Sequence, residues 1–163
     1  VYRGKPLLLW VLESLRGAEE RFIVANRPYV GFGVPVYPDL LPGADSLSGL
    51  HSALAHARFP WVAVAATDLP FLTRGFWDFL YEQARASPYP VVAVYSPEGH
   101  LEPLMALYHK DCLPQVERQI REGDFRLGRV VEALGATYVA AEEVVARFGE
   151  RVYLNANRRA DLP

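Results

Sequence analysis

Polar side chains follow the apolar segments of this sequence at four places: Asn26-Arg27, Asp39, Asp68 and the tail Asn155-Ala156-Asn157-Arg158-Arg159. Asp68 follows the most hydrophobic predicted strand of the chain, and Pro70 restrains the backbone that presents it. Magnesium prefers one or two carboxylates, with substrate phosphates completing its coordination. We therefore predict that Asp68 is a magnesium ligand. The alternative role, a helix cap, suits Thr73 better, because Thr73 directly precedes the next helical pattern.

The other polar places predict contacts to a small anionic substrate. Asp39 could accept hydrogen bonds from a ribose hydroxyl or from the N–H edge of guanine, although a Pro-Asp pair is more often a turn. The segment Asp45-Ser46-Leu47-Ser48-Gly49 predicts a helix N-terminus capped by Asp45 or Ser46. Backbone N–H groups there can meet phosphate or nucleobase oxygens, and Gly49 permits close approach, although capping alone is the commoner explanation. The amides and arginines of the tail could reach phosphates or cap the last segment.

Several common catalytic motifs do not occur in the sequence. It contains no P-loop ending in Gly-Lys-Ser/Thr, no Gly-x-Ser-x-Gly and no Gly-x-Gly-x-x-Gly. The four histidines have no metal-ligand spacing. The ordinary phosphate-binding loop is therefore missing from these 163 residues.

Hydrophobic periodicity predicts an alternation of helices and strands. Helices are expected from Pro6, over Ser46 to Ala57, after Thr73, over Lys110 to Arg121, over Leu127 to Leu134 and over Glu142 to Phe148. Strands are expected over Arg21 to Asn26, Gly33 to Pro38, Trp61 to Ala66, Pro90 to Tyr95, Leu104 to Tyr108 and Ala136 to Ala140.

This alternation predicts one α/β domain spanning residues 1–163, in three layers, with helices on both faces of a doubly wound, mostly parallel sheet. The continuously apolar run Trp61 to Ala66 is typical of a strand covered on both faces. Ligands of such sheets bind beyond the carboxyl ends of the strands. The fold class thus points to the same polar residues as the chemistry.

Composition excludes several classes of function. A content of 51% hydrophobic and 22% charged residues is typical of a globular chain, and a net charge of −2 offers no general attraction to nucleic acid or anionic membranes. No apolar run approaches the roughly 20 residues of a membrane-spanning helix. The sequence has a single cysteine, Cys112, which excludes a disulfide within the chain and favours a cytoplasmic protein. We expect Cys112 to be a small buried residue on a helix.

Six short segments occur in a particular order. They are Gly4-Lys5-Pro6-Leu7, Ile23-Val24-Ala25-Asn26-Arg27, Asp39 with Asp45-Ser46-Leu47-Ser48-Gly49, Thr67-Asp68-Leu69-Pro70-Phe71-Leu72, Glu102-Pro103-Leu104-Met105-Ala106-Leu107-Tyr108 and Tyr153-Leu154-Asn155-Ala156-Asn157. Each is weak alone, but in this order and spacing the segments resemble the molybdenum cofactor guanylyltransferase family, known as MobA. The resemblance runs from Gly4 to Leu162 and implies the nucleotide-diphospho-sugar transferase, Rossmann-like, form of the α/β fold.

The resemblance also implies a reaction. The terminal phosphate of molybdopterin attacks the α-phosphorus of GTP, pyrophosphate leaves, and a guanine dinucleotide form of the cofactor results. Asp68 would hold Mg²⁺, while Asn26, Asp39 and Gly49, with Asp68, would bind the nucleotide. Asn155 and Asn157 would be second metal ligands or molybdopterin contacts. A protein that delivers the cofactor is a possible partner, and the oligomeric state stays open.

Two departures from the family bear on these expectations. The family's first strand and its Leu-Ala-Gly-Gly-x-Ser-x-Arg-Met-Gly loop, which holds the triphosphate, are expected before Val1 and are not in the sequence. Asp45-Ser46 stands where the family usually has Gly-Pro. The alternatives are a cytidylyltransferase for molybdopterin, another nucleotidyltransferase acting on a phosphorylated small molecule, and a non-catalytic domain that binds a nucleotide or a partner.

Overall fold

The computed structural model of the chain describes residues 1–156 and 162, which form alternating helices and strands. The helices are α1 (Leu7–Ser14), α2 (Ser46–His56), α3 (Arg74–Ala86), α4 (Leu113–Glu122), α5 (Leu127–Leu134) and α6 (Ala141–Phe148). The strands are β1 (Ile23–Val24), β2 (Val36–Tyr37), β3 (Trp61–Ala65), β4 (Val91–Tyr95), β5 (Leu101–His109) and β6 (Thr137–Val139). All twelve were expected from the periodicity of the sequence, so the predicted order of elements is confirmed.

The strands form two sheets. One sheet has the order β3-β5-β4-β6, and the other pairs β1 with β2 in parallel. Because β5 is antiparallel to both β3 and β4, while β6 is parallel to β4, three of the four strands in the larger sheet share one direction. The mostly parallel α/β fold is therefore confirmed.

The exception, β5, follows from its short connection to β4. The turn between these strands is closed by hydrogen bonds from the Ser96 N–H to the His100 carbonyl (2.7 Å) and from the Gly99 N–H to the Ser96 carbonyl (2.9 Å). A connection this short can join only antiparallel neighbours, whereas a parallel pair needs a crossover of a dozen or more residues.

Helices cover both faces of the larger sheet. Successive residues of β4 enter different apolar clusters: Val91 and Ala93 pack with α2, α4 and α5, while Val92 and Val94 pack with α3 and α6. This alternation is the one expected of a strand buried on both faces, since consecutive side chains point in opposite directions. The three-layer arrangement predicted from the sequence is present.

Two predictions about individual residues can be compared with the structure. Thr73 caps α3 as expected, because its Oγ1 accepts a hydrogen bond from the Phe76 N–H (3.1 Å). Cys112 is fully buried at the start of α4, also as expected. Within the part of the chain that the structure describes, no helix combines the length and the apolar character needed to cross a membrane.

Candidate active site

Asn26 and Asp39 form a pair at the ends of two neighbouring strands. Ile23 is aligned with Val36 and Val24 with Tyr37, so the residues that follow β1 and β2 emerge side by side. The Asn26 Nδ2 donates to Asp39 Oδ2 (2.9 Å), and the Asp39 backbone N–H donates to Asn26 Oδ1 (2.9 Å). Asn26 is exposed and Asp39 is half-buried. The structure thus brings together two of the predicted site residues and keeps a carboxylate accessible to a ligand.

Serine side chains of α2 fix the loop that follows Asp39. The Leu40 N–H donates to Ser52 Oγ (2.7 Å), the Ala44 N–H donates to Ser48 Oγ (2.9 Å), and Ser48 Oγ donates to the Leu41 carbonyl (2.6 Å). Both serines are buried, so these bonds form where water cannot compete for them. Asp39 is therefore positioned both by Asn26 and by the first turns of α2.

The predicted start of α2 is confirmed, but the predicted side-chain cap is wrong. The helix begins at Ser46, but neither Asp45 nor Ser46 supplies a side-chain cap to it. Asp45 has a backbone φ of 51°, a left-handed conformation that most residues other than glycine avoid. Ser48 bonds backward to the preceding loop instead. The side chain at position 45 is exposed at the start of the helix, which leaves an anionic group there.

Asp68 lies in the turn that follows β3, at the carboxyl end of that strand. Its side chain is half-buried, and its backbone carbonyl accepts a hydrogen bond from the Ala156 N–H (2.9 Å). The segment that contains Ala156 is also held at Tyr153, whose hydroxyl donates to the Tyr95 carbonyl (2.8 Å). Asn155 lies between these two anchors and is exposed, so the structure places this predicted residue beside the Asp68 turn. Asn157, the other predicted amide, lies outside the described residues.

Gly49 and Asp68 line one cavity of about 730 Å³. Gly49 lies in the first turn of α2, where an added Cβ would meet no heavy atom within 4 Å, so the space beside its backbone is open. Among the described residues that line this cavity, Asn26 and Asp39 do not appear. The predicted residues therefore divide into Gly49 and Asp68 in the cavity, the Asn26–Asp39 pair at the ends of β1 and β2, and Asn155 beside Asp68.

The acidic residues are dispersed rather than clustered. Within residues 1–156 and 162, no group of three or more His, Cys, Asp or Glu side chains could hold a metal ion. A closed protein cage for a metal is thus missing from this part of the chain. A lone carboxylate is compatible with Mg²⁺, which retains several waters and is commonly bound through one or two carboxylates and the phosphates of a substrate.

Arg151, for which no role was predicted from the sequence, lies near the loop that follows Asp68, whereas Lys5 is paired within the N-terminal residues. Arg151 lies 4.5 Å from the ring centre of Phe71, which follows Asp68 by three residues, and Phe71 packs edge-on against Tyr2 with ring centres 5.4 Å apart. The Lys5 Nζ donates to Glu13 Oε1 (2.8 Å). The segment Gly4-Lys5-Pro6-Leu7 already contained one of these cations, but only tertiary packing relates Arg151 to Phe71.

Two side chains, Glu102 and Tyr153, have raised pKa values. Burial raises the pKa of Glu102, and the charge on Glu98 raises it further. Burial also raises the pKa of the Tyr153 hydroxyl to about 12, with a smaller effect from Glu102. Tyr153 therefore stays protonated at neutral pH and remains a hydrogen-bond donor to Tyr95. That protonated hydroxyl helps to hold the segment that carries Asn155.

Known proteins share this fold. A structure titled "Crystal Structure of Molybdopterin-guanine dinucleotide biosynthesis protein A from Archaeoglobus fulgidus" superposes with a TM-score of 0.81 and 26% identity, covering 98% of this chain and 83% of that one. The 2-C-methyl-D-erythritol 4-phosphate cytidylyltransferase of Thermus thermophilus gives a TM-score of 0.70 at 20% identity, which indicates the fold alone. The chain thus has the same α/β fold as these two proteins.

Proteins of similar sequence identify the family to which the chain belongs. The family described as "MobA-like NTP transferase domain" matches residues 1–139. The chain is 35% identical to a Deinococcus radiodurans protein named "Probable molybdenum cofactor guanylyltransferase", over 99% of this chain and 81% of that protein. A Thermococcus sibiricus protein of the same name is 31% identical over 98% of this chain and 83% of its own length. The chain therefore belongs to the MobA-like NTP transferase family, as its ordered motifs predicted.

Proposed function

We propose that the protein transfers GMP from GTP to molybdopterin and releases pyrophosphate. The observation that carries this proposal is the placement of Asp68 and Gly49 on one cavity at the carboxyl end of β3. It is supported by 35% identity, across nearly the whole chain, to a relative named for this activity. The attacking group is a phosphate oxygen of molybdopterin, and the bond broken joins the α-phosphorus of GTP to the bridging oxygen of the pyrophosphate.

Asp68 is the proposed ligand of Mg²⁺. Its carboxylate is half-buried, and the bond from Ala156 to its backbone carbonyl fixes the turn that carries it. Mg²⁺ bound there would neutralise charge on the phosphates and align them for displacement. The absence of further clustered carboxylates among the described residues suits an ion that takes most of its ligands from substrate and water. Asp68 thus supplies positioning and charge rather than a nucleophile.

The Asn26–Asp39 pair is the proposed contact for the nucleoside. Asp39 can accept hydrogen bonds from adjacent N–H groups of guanine or from a ribose hydroxyl. Asn26 donates one hydrogen bond to that carboxylate and accepts another from the Asp39 backbone N–H, so less side-chain freedom is lost when a ligand binds. Gly49, on the other polar segment, lets a nucleotide approach the N-terminal turn of α2 closely.

Asn155 is the proposed contact for molybdopterin or a second ligand of the metal. Asn157 is proposed for the same role from its place in the family-like segment Tyr153-Leu154-Asn155-Ala156-Asn157. The anchors at Tyr153 and Ala156 hold Asn155 close to the Asp68 turn. Such a site would act on a phosphorylated acceptor beside the metal. We also propose that the protein is cytoplasmic and that a delivery protein transfers molybdopterin to it.

The decisive experiment is a product assay. The protein is incubated with molybdopterin, MgCl₂ and either GTP or CTP labelled at the α-phosphate. Chromatography then separates the labelled dinucleotide from the pyrophosphate, which carries no label. We expect labelled guanine dinucleotide with GTP, and none with CTP or when EDTA is added. Product from CTP alone would replace guanylyl transfer with cytidylyl transfer. Tight GTP binding without product would instead favour a non-catalytic nucleotide-binding domain.

A further inference from the structure

Glu102 is a half-buried acidic residue at the start of β5, and the proposed function gives it no role. Because β5 is antiparallel to both β3 and β4, its first residues lie at the edge of the sheet where those two strands end. The Ala66 N–H donates to the Leu104 carbonyl (2.9 Å). Asp68 follows Ala66 by two positions and Glu102 precedes Leu104 by two, so both acidic residues lie at the same edge of the sheet.

The start of β5 contains a bulge, which sets the position of Glu102. Between Val92 and Val94, β4 advances by two residues while β5 advances by five, from position 107 to position 102. Proline has no N–H to donate within a sheet, so Pro103 is tolerated in such a bulge. The hydroxyl of the fully buried Tyr108 donates to the Pro103 carbonyl (2.6 Å) and fixes the bulged segment. Bulges of this kind re-aim side chains beside functional sites.

The Glu102 carboxylate has no bonded partner in the part of the chain that the structure describes. Neither an ion pair nor a hydrogen bond joins it to any of residues 1–156 and 162. Burial raises the pKa of Glu102, and the charge on Glu98 raises it further. A carboxylate that is partly withdrawn from water without a partner costs free energy. Such carboxyl groups concentrate at functional sites, where a ligand supplies the missing hydrogen-bond donors.

The charges around Glu102 restrict the chemistry of that ligand. Glu98 lies close enough to raise the pKa of Glu102, and Asp68 lies at the same edge of the sheet, so this region is anionic. It repels a phosphate but accepts hydrogen bonds from N–H groups, because an ionised carboxylate has two acceptor oxygens and no donor. Two adjacent N–H donors on a planar ring match the two oxygens. The pterin ring of molybdopterin has such an edge, formed by its amino group and the neighbouring ring N–H.

We propose that Glu102 binds this N–H edge of the pterin and so determines specificity for the acceptor, an inference that rests on the proposed function. Molybdopterin carries its phosphate at the opposite end from this edge. The phosphate can therefore lie beside Asp68 while the pterin extends along the start of β5. Guanine presents a similar pair of donors, but its proposed contacts, Asn26 and Asp39, follow β1 and β2. Those strands border β3 across the cavity, whereas β5 pairs with β3 directly.

Steady-state kinetics tests this role with a variant of the same size. Glu102→Gln replaces one of the two acceptor oxygens with a donor. We expect the KM for molybdopterin to rise roughly 10- to 100-fold, because a hydrogen bond to a charged group is lost, while kcat and the KM for GTP stay unchanged. Glu98→Gln is the matched control, since it removes an exposed charge from the adjacent turn, and it should alter none of these constants.

Two other kinetic results would overturn the proposal. A rise in the KM for GTP, with the KM for molybdopterin unchanged, would assign Glu102 to the nucleotide. A higher Mg²⁺ concentration needed for turnover, with both KM values unchanged, would make Glu102 a metal ligand.

A binding measurement separates this proposal from the proposed reaction. Lumazine has a carbonyl oxygen where pterin has its amino group, and both compounds are fluorescent. By fluorescence titration, we expect the original protein to bind pterin at least about 10-fold more tightly than lumazine, because a carboxylate accepts from the amino group but is repelled by the oxygen. Glu102→Gln should lose this preference, since its amide can donate to the carbonyl oxygen of lumazine. Equal affinities in the original protein, a preference that survives in Glu102→Gln, or no binding of pterin would contradict the contact.

The two assays fail independently. Pterin binding through Glu102 in a protein that forms no dinucleotide would reject the proposed reaction and retain the pterin contact. Dinucleotide formation by Glu102→Gln with an unchanged KM for molybdopterin would retain the reaction and reject the contact.

Thermal stability distinguishes ligand recognition from a structural role for Glu102. Because the ionised carboxylate is partly buried without a partner, Glu102→Gln should raise the Tm of the ligand-free protein at neutral pH. Asp124→Asn serves as the contrasting variant, since its carboxylate accepts hydrogen bonds from Arg126, and it should lower the Tm. A lower Tm for Glu102→Gln would show that the fold itself uses the carboxylate, and its assignment to a ligand would be wrong.

Discussion

Asn26 and Asp39 are joined by two hydrogen bonds of 2.9 Å that connect the ends of two parallel strands. Asp39→Ala removes the carboxylate while leaving the strands intact. A hydrogen bond to a charged group contributes about 1.5–3 kcal/mol, so we expect the Kd for GTP to rise by roughly 10- to 100-fold. Isothermal titration calorimetry measures this change.

The control for this substitution is Asp111→Ala, whose carboxylate has a relative exposure of 84% in the turn before α4. The control protein should bind GTP with the affinity of the original. An unchanged Kd for Asp39→Ala would remove the pair from the nucleotide site, leaving its two hydrogen bonds as a structural link between loops.

The turn that follows β3 provides a test of the metal role. Asp68→Asn keeps the size of the side chain and removes its charge, so the fold should persist. We expect turnover to fall by at least about 100-fold at saturating Mg²⁺, because charge on the phosphates is then poorly neutralised. Pyrophosphate release measured over a range of MgCl₂ concentrations checks this.

Asp78 offers a matched carboxylate for that experiment. It also lines the cavity but is 66% exposed and lies 3.9 Å from Arg74, a surface ion pair of little energetic value. Asp78→Asn should leave turnover and its Mg²⁺ dependence unchanged. Similar losses in the two variants would indicate that the general charge of the cavity matters, and Asp68 would lose its specific role.

Asp124 and Arg126 predict a change at acid pH. The Arg126 guanidinium donates hydrogen bonds to Oδ1 and Oδ2 of Asp124, both at 2.9 Å, and holds the pKa of that carboxyl at about 2. Because the pKa is lower in the folded protein than the roughly 3.9 of a free Asp, the pair stabilises the fold above that value. This stabilisation is lost as the pH falls toward about 2.

Arg126→Gln should therefore raise the pKa of Asp124 toward its ordinary value. A titration of the Asp124 carboxyl carbon by NMR measures the change directly. Arg121→Gln, which removes a guanidinium 3.8 Å from Glu117, is the control and should leave the Asp124 titration unchanged. A pKa for Asp124 that does not respond to Arg126→Gln would mean that the bonded geometry does not persist in solution.

Sequence reasoning predicted those features that depend on local pattern. The order of helices and strands followed from periodicity, and Thr73 was recognisable as a cap because it directly precedes α3. The contact between Arg151 and Phe71 joins residues far apart in the chain, which no local pattern encodes. The capping of α2 was misjudged because Ser48 bonds backward to the loop while Asp45 takes a left-handed conformation. The pairing of Asn26 with Asp39 likewise depends on the register of two strands.

The reactivity of the Cys112 thiol tests how often the contact between α4 and the sheet opens. It is fully buried, and burial raises its pKa to about 12, so at pH 8 only on the order of one thiol in ten thousand is ionised. The thiolate is the reactive form, and the buried sulfur lies 3.4 Å from the Pro90 carbonyl. We expect iodoacetamide to modify the native protein only as fast as the protein opens, and to modify the denatured protein rapidly. Mass spectrometry follows both reactions, with Cys112→Ser as the unreactive control. Rapid, complete modification of the native protein would mean that the contact between α4 and the sheet opens easily, because no thiol with this burial can react in place.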